Sequence, residues 1–279
     1  MTLRTLIATM LVATTAGLAQ GQDLEIDFNS TTQDGGPHNL AGFQAYDAGH
    51  EVAADFTTMS YTAFGTTVTV TPDWPNTTDN RVRQMIDRGA NFDATWTDAS
   101  TIDGVTDWLG IDTRTGNGGN GNWDGTTGTP TYMTLALGDL PAGTYDWTAF
   151  HHDTEHVHGN FQVELSTDGG TTYTKLADGY MSDGTDGGNP DSLADGGQLA
   201  LVTNLIEMAG AGSVYTTSFT ADGTSDVVFR YAPYTGVLGD AVHNQLFGIN
   251  GFQLVPEPAT GALFGLGGLM MLALRRRRS

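Results

Sequence analysis

The 279-residue chain contains no cysteine, and this absence limits how the protein is held together. A disulfide framework and a thiolate metal site are both excluded, because each needs cysteine side chains. A chain without disulfides must rely on its hydrophobic core. Residues 20–255, which lie between two unusual apolar ends, are long enough to bury such a core.

Basic residues are scarce in the middle of the chain. The whole chain has 11 Lys and Arg against 32 Asp and Glu. Arg4, Arg275–Arg278 and Glu257 stand at the ends, so residues 20–255 keep six basic and 31 acidic side chains, a formal net charge of −25. Such a surface repels phosphate backbones, which excludes nucleic acid as a partner. The acidity is typical either of a solvated surface in saline water or of calcium binding through Asp oxygens.

Common catalytic motifs are also missing. The chain has no G-x-S-x-G, no HExxH and no phosphate-binding loop. Glycoside hydrolysis needs a carboxylate pair, but so many carboxylates produce pairs by chance. The threonine runs at 66–71 and 126–131 do not repeat at a fixed interval, which argues against an ice-binding repeat. The sequence therefore favours a protein that is not an enzyme.

The N-terminus has the three parts of a secretory signal peptide. Arg4 supplies the positive charge, residues 6–16 form an apolar segment, and residues 17–19 are small enough for cleavage. A buried N-terminal helix is the alternative, but the segment is uncapped and is followed by turn-rich polar sequence. We expect residues 1–19 to direct export through the Sec machinery.

Patterns typical of strands dominate residues 20–255. In 23–29, for example, Leu24, Ile26 and Phe28 alternate with Asp23, Glu25 and Asp27, which are expected to face the other way. One-sided alternation is typical of antiparallel sheets with one wet face, and two such sheets stack into a sandwich. The predicted strands are 23–29, 66–71, 131–138, 143–152, 161–166, 171–177, 213–221, 225–232 and 245–254. We predict one all-β domain, an antiparallel β-sandwich.

Two segments have helical features instead. Residues 80–89 place Val82, Met85 and Ile86 at helical spacing, with Gly89 at the end. Residues 100–110 begin with a serine that could cap a short helical turn. Both segments are therefore candidates for short helices.

The sequence HHDTEHVH, residues 151–158, concentrates four of the seven histidines. On a strand, His156 and His158 share a face and would present two imidazoles to one structural or regulatory metal ion. With Glu164 they loosely resemble the pattern of cupin metal enzymes, another jelly roll, although the spacing and glycines differ. The alternatives are a polar loop or a rim that bonds sugar hydroxyls. The rim residues would be His152, Asp153 and Glu155.

Aspartates gather in the glycine-rich residues 182–197. Their spacing is not that of an EF-hand loop. A solvated surface loop is one interpretation, and a structural calcium site is the other. The candidate calcium ligands are Asp183, Asp186 and Asp191.

Two tryptophans lie in turn-rich sequence, where a large exposed apolar ring is typical of a binding site unless it packs on the core. Trp74 stands in PDWPN and Trp123 in GNGNWDG. Each ring would either cap one end of the core or stack on a sugar ring. Both are candidate ligand-binding residues.

The stretch LALGDLPAGTYDWTAFHHD, residues 135–153, resembles the central hairpin of galactose-binding-like jelly rolls, which include malectin-like domains and many carbohydrate-binding modules. In that pattern a strand leads into a Leu-Pro-x-Gly-x-Tyr turn, here 140–145, and a second strand follows. FRYAP and NQLFGINGFQLV resemble the closing strands. The resemblance implies a jelly roll that binds carbohydrate and often holds structural calcium.

The C-terminus resembles a different and more specific signal. VPEP at 255–258 precedes an apolar segment that ends in RRRR. This order resembles the PEP-CTERM sorting signal and implies processing by an exosortase at the inner membrane of a diderm bacterium, then delivery to the cell surface or extracellular matrix. The motif residues are Pro256, Glu257, Pro258, Arg275, Arg276, Arg277 and Arg278.

The physical properties of residues 256–279 agree with that signal. A helix over residues 259–274 would be about 24 Å long at ~1.5 Å per residue, slightly short of a hydrocarbon core of about 30 Å. Snorkelling arginines and local thinning of the bilayer make up the difference. The arginines should stay cytoplasmic, so we expect a single transmembrane helix that anchors the chain transiently and leaves residues 20–255 outside.

Three classes of function follow from the sequence. The first is a non-catalytic carbohydrate- or exopolysaccharide-binding module, which is the preferred interpretation. The second is a structural biofilm-matrix protein without a specific ligand. The third is a secreted glycan-active or metal-dependent cupin-like enzyme, for which the sequence names no catalytic residue.

Overall fold

The computed structural model describes residues 22–31, 39–50, 52–75, 83–87, 107–112, 132–151, 161–180, 214–233 and 246–257. Within these ranges the regular structure consists of strands and a single 3-10 turn, Ala53–Asp55. The prediction of a mostly β protein is confirmed. None of the described segments is a helix long and apolar enough to cross a membrane. The predicted signal peptide and C-terminal helix lie outside the described residues.

The described strands form three sheets. A five-stranded sheet has the order β11-β8-β14-β1-β2, a six-stranded sheet β10-β9-β12-β7-β4-β3, and a three-stranded sheet β13-β6-β5. All pairings are antiparallel except that of β1 with β2. These antiparallel sheets fit a β-sandwich. The strands are β1 Leu24–Ser30, β2 Gln44–Ala48, β3 Met59–Ala63, β4 Thr66–Asp73, β5 Arg83–Asp87, β6 Asp107–Asp112, β7 Met133–Gly138, β8 Gly143–Phe150, β9 Phe161–Ser166, β10 Thr174–Tyr180, β11 Val214–Ala221, β12 Val227–Pro233, β13 Leu246–Ile249 and β14 Gly251–Pro256.

The core lies where the alternating apolar residues predicted it. At its centre the fully buried Trp147 ring stacks on Phe229, 4.1 Å between ring centroids, and on Phe252, 4.4 Å. Trp147 and Phe252 belong to the five-stranded sheet, and Phe229 belongs to the six-stranded sheet. The aromatic stack therefore joins the two large sheets, because each contributes a ring to one contact.

The outer face of β1 departs from the predicted alternation. Asp27 was expected to face solvent, but it is 2% exposed, and its Oδ2 accepts a hydrogen bond from the Leu40 amide at 2.6 Å. The neighbouring Ser30 amide donates to Oδ2 of the buried Asp107 in β6 at 3.2 Å. The expectation was wrong at Asp27 because the three-stranded sheet packs against this end of β1. Alternation reveals which residues share a face, but not what covers that face.

Both helix predictions are corrected by the structure. Arg83–Asp87 is strand β5 and Asp107–Asp112 is strand β6, and the two pair with each other antiparallel. Met85 is fully buried. Helical spacing over so short a segment is a weak local preference, and pairing with a distant strand overrides it.

The Leu-Pro-x-Gly-x-Tyr segment connects the two large sheets and does not close a hairpin. β7 pairs with β4 and β12, whereas β8 pairs with β11 and β14. The Tyr145 hydroxyl donates to the Pro141 carbonyl at 2.8 Å. Such a bond from tyrosine to the main chain a few residues upstream braces the corner where a chain changes sheets. The predicted hairpin is therefore wrong, although the two strands are present.

The last predicted strand, 245–254, is divided between two sheets. β13 belongs to the three-stranded sheet and β14 to the five-stranded sheet. The buried Asn250 lies between them, and its Nδ2 donates to the Asp107 carbonyl at 2.7 Å. A Cβ at Gly251 would stand 2.6 Å from the Ile26 carbonyl oxygen, so the main chain there needs glycine.

Candidate functional site

Of the residues that the sequence nominates, the structure describes Trp74, Pro256 and Glu257. Within the described ranges, no group of three or more His, Asp and Glu side chains is arranged to hold a metal ion. The predicted calcium and histidine sites therefore stay predictions. The nominated residues outside the described ranges are Trp123, His152, Asp153, Glu155, His156, His158, Asp183, Asp186, Asp191, Pro258, Arg275, Arg276, Arg277 and Arg278.

Trp74 lies inside the protein. The residue is 3% exposed, and its indole N–H donates to the Gly110 carbonyl of β6 at 3.0 Å. Its ring also contacts Phe56, with 4.8 Å between ring centroids. This placement favours capping of the core over sugar stacking, because almost no ring surface is left for a ligand.

The first residue of the histidine-rich sequence is also a core residue. His151 is fully buried, and its Nδ1 lies 2.7 Å from the Gly248 carbonyl oxygen. Its ring contacts those of Phe161, at 5.2 Å, and Tyr231, at 5.5 Å. Burial lowers the pKa of His151 to about 4, against the opposing effect of the Gly248 carbonyl. The imidazole is therefore neutral near pH 7, and we assign the Nδ1 proton to the bond with Gly248.

The six-stranded sheet carries a line of polar side chains on its outer face. Register places Asp73 of β4 opposite Thr134 of β7, Thr134 opposite Arg230 of β12, Arg230 opposite Glu164 of β9, and Glu164 opposite Lys175 of β10. These five residues are called the polar row. Its two outermost members, Asp73 and Lys175, are exposed. The polar row therefore spans five strands with charges of alternating sign.

Arg230 is the centre of the polar row. Its Nε donates to Oε2 of Glu164, and its guanidinium lies 3.9 Å from the ring centroid of Tyr173 and 5.5 Å from that of Tyr132. The Arg230 side chain is 27% exposed. Planar guanidinium groups stack on aromatic faces in this way while keeping further N–H donors at their edge. The centre therefore presents a planar donor group beside two half-buried tyrosine rings.

Gln162 lies next to Glu164 on the same face of β9. Its Nε2 donates to Glu164 Oε1 at 3.1 Å. Its Oε1 is shielded from solvent and has no hydrogen-bond partner among the described residues. Because this oxygen is shielded, it offers no acceptor to a ligand that approaches from solvent.

A rigid turn fixes Tyr173 beside Arg230. Ser166 and Thr172 hydroxyls donate to the Asp168 carboxylate at 2.6 Å each, and the Thr172 amide donates at 2.9 Å. These hydrogen bonds hold the pKa of Asp168 well below its usual range, and the bond from Ser166 has the largest effect. Gly169 and Gly170 take positive φ angles of 71° and 81° in the same turn. The tyrosine is therefore positioned in advance of any ligand.

The sequence analysis did not find this centre. In the sequence, Glu164 was considered only as a possible metal ligand beside His156 and His158, and Arg230 was not considered as its neighbour. One signal was present, because Arg230 and Lys175 are two of the six basic residues in 20–255. Because residues 20–255 contain so few basic side chains, the position of each one in the predicted sheets indicates a possible binding site.

The start of the C-terminal motif lies in the five-stranded sheet. Pro256 ends β14 opposite Tyr145 of β8, and the Glu257 amide donates to the Thr144 carbonyl at 2.9 Å. Leu254, just before, is fully buried, whereas Glu257 is exposed. The strand and the VPEP sequence therefore overlap.

Several solved structures resemble the chain. The ANXUR1 extracellular domain from Arabidopsis thaliana has 10% identity and a TM-score of 0.37, and the match covers 83% of this chain and 47% of that one. TmCBM61 in complex with β-1,4-galactotriose has 11% identity and a TM-score of 0.29, covering 67% and 88%. The family 32 carbohydrate-binding module from C. perfringens NanJ in complex with galactose has 11% identity and a TM-score of 0.26, covering 67% and 93%. This chain thus spans less than half of the ANXUR1 domain.

Sequence comparison is specific only at the C-terminus. No curated protein matches the chain. Residues 254–278 match the family model described as the PEP-CTERM protein-sorting motif. The sorting signal predicted from VPEP and the terminal arginines is confirmed: this chain carries a PEP-CTERM motif, which indicates export and sorting to the cell surface.

Proposed function

We propose that the protein is a sorted surface or matrix protein whose jelly-roll sandwich binds carbohydrate without catalysis. Residues 1–19 direct it through Sec, and residues 259–274 anchor it in the inner membrane until an exosortase processes the motif. An extracellular polysaccharide is the proposed ligand. The observation that carries the binding proposal is the grouping of Arg230 with Glu164, Tyr132 and Tyr173, which is called the Arg230 centre.

The chemistry of that centre suits a sugar. A pyranose presents neighbouring hydroxyls on its rim and C–H groups on its faces. The Arg230 guanidinium retains N–H donors beyond the one given to Glu164, and the Glu164 carboxylate supplies acceptors. Tyr132 and Tyr173 supply aromatic surface beside these groups. The hydrogen bonds of the Asp168 carboxylate hold the turn that precedes Tyr173. Little conformational entropy is therefore lost at Tyr173 when a ligand binds.

Replacing Tyr173 with leucine should weaken polysaccharide binding by about tenfold, which corresponds to about 1.4 kcal/mol. The change keeps an apolar side chain but removes the aromatic face beside Arg230. Retention on a glycan array, followed by affinity electrophoresis on the retained polysaccharide, measures the effect. Tyr215→Leu is the matched control, because Tyr215 is a half-buried tyrosine on β11 of the other large sheet.

The array also separates the remaining interpretations. Equal loss in both tyrosine variants, or in neither, would place the ligand away from the Arg230 centre. Absence of any glycan retention by the wild type, together with a biofilm defect on deletion, would favour the structural matrix protein. Turnover of an arrayed glycan would favour the enzyme.

A further inference from the structure

The folded domain holds the beginning of its own sorting motif. The motif spans residues 254–278, and β14 runs to Pro256 within the five-stranded sheet. Val255 lies opposite Asp146 and Pro256 opposite Tyr145, and the Glu257 amide is bonded to the Thr144 carbonyl. Val255 and Pro256 are therefore part of the sheet, and Glu257 is bonded to it, so the described part of the motif is continuous with the fold.

Val255, Pro256 and Glu257 make fewer contacts with the sheet than Leu254 does. Leu254 is fully buried in the core and pairs with Leu24 of β1 as well as Trp147 of β8. Beyond Leu254, β14 pairs with β8 and with no other strand in the described part of the chain. Pro256 has no N–H to donate to β8. The end of β14, Val255 and Pro256, together with the following Glu257, is thus the segment that separates from β8 at least cost, and Leu254 sets the limit of separation.

A processing peptidase needs the main chain of its substrate extended and free in its cleft. In this fold β8 occupies one side of that main chain. Leu24 and Leu254, near the first and last described residues, are register partners, so the described part of the chain begins and ends at neighbouring points of the five-stranded sheet. In sequence, only Pro258 separates Glu257 from the apolar residues 259–274, so the folded domain would hold the motif close to the membrane-embedded enzyme.

We propose that Val255–Glu257 must separate from β8 before the exosortase processes this chain. β8 then acts as a latch on the sorting motif, and the rate of processing depends on how readily the end of β14 opens. This inference rests on the proposed exosortase processing and adds a structural requirement to it.

A cross-strand disulfide tests the latch. The variant Asp146→Cys/Val255→Cys joins register partners, whose Cβ atoms in antiparallel pairs are about 4.5–5.5 Å apart, within small adjustment of disulfide geometry. The chain has no other cysteine to mispair, and the export compartment is oxidising. In pulse-chase of the full chain in its host, we expect the oxidised double variant to mature at least about tenfold more slowly, and a membrane-permeant reductant to restore the rate.

Two further comparisons complete the experiment. The single variants Asp146→Cys and Val255→Cys should mature like the wild type, which separates locking from loss of either side chain. A six-residue Gly-Ser spacer between Val255 and Pro256 frees the motif from β8 and should speed maturation. Wild-type rates in both the locked and the spacer variant would overturn the latch. A wild type that is never processed would instead overturn the proposed exosortase processing itself.

Discussion

Replacing Trp147 with alanine should lower the free energy of unfolding by about 3–5 kcal/mol, the usual cost of deleting a buried aromatic side chain. The ring is fully buried and stacks on Phe229 and Phe252 at 4.1 and 4.4 Å. Because Phe229 belongs to the opposite sheet, its removal opens a cavity between the two large sheets. Urea unfolding followed by circular dichroism measures the change.

Trp147→Phe is the matched control for this prediction. Phenylalanine keeps an aromatic ring against Phe229 and leaves a smaller void, so its loss should be well below that of alanine. Equal losses in the two variants would contradict the stacking account. A loss below about 1 kcal/mol for alanine would mean that the sheets do not meet at this ring.

His151 should make the fold sensitive to acid. Its pKa in the folded protein is about 4, against 6.5 for the unconstrained group. Above pH 6.5 both states are neutral, and stability is full. As the pH falls from 6.5 to 4, only the unfolded chain takes up the proton, so stability is lost by up to about 1.4 kcal/mol per pH unit, about 3 kcal/mol in total. Below pH 4 the folded state is protonated as well, and this loss levels off.

The comparison with His151→Gln isolates this effect from the many carboxylates. Both proteins lose stability as those carboxylates titrate, but only the wild type has the additional loss between pH 6.5 and 4. Urea unfolding at pH 7, 6, 5 and 4 should show the wild type losing about 3 kcal/mol more stability than His151→Gln as the pH falls. A difference that stays constant across these pH values would show that His151 is accessible to water and protonated in the fold.

The strands were predictable because, in a strand with one buried and one solvent-facing side, every second side chain is buried. Met133, Leu135 and Leu137 show this pattern in sequence and are all buried. Sheet membership was not predictable, because it depends on partners far along the chain. The segment around Pro141 was expected to close a hairpin, and it instead passes from one large sheet to the other.

The same distinction explains the candidate sites. Glu164 and Arg230 are 66 residues apart, and only the pairing of β9 with β12 brings them together. The sorting motif is a linear signal, so the sequence alone identified it. That its first residues are bonded to β8 depends on the register of β14 and could not be read from the motif.

We infer that this chain is exported and processed at its C-terminal motif. Intact mass spectrometry of the full chain expressed in its host, recovered from the cell surface and matrix, tests it most directly. We expect a mature protein that begins after residue 19, ends near Pro258 and lacks Arg275–Arg278, while an Arg275–Arg278→Ser variant is exported but processed abnormally. A surface protein that still carries the four arginines, or a full-length chain confined to the cytoplasm, would contradict the claim.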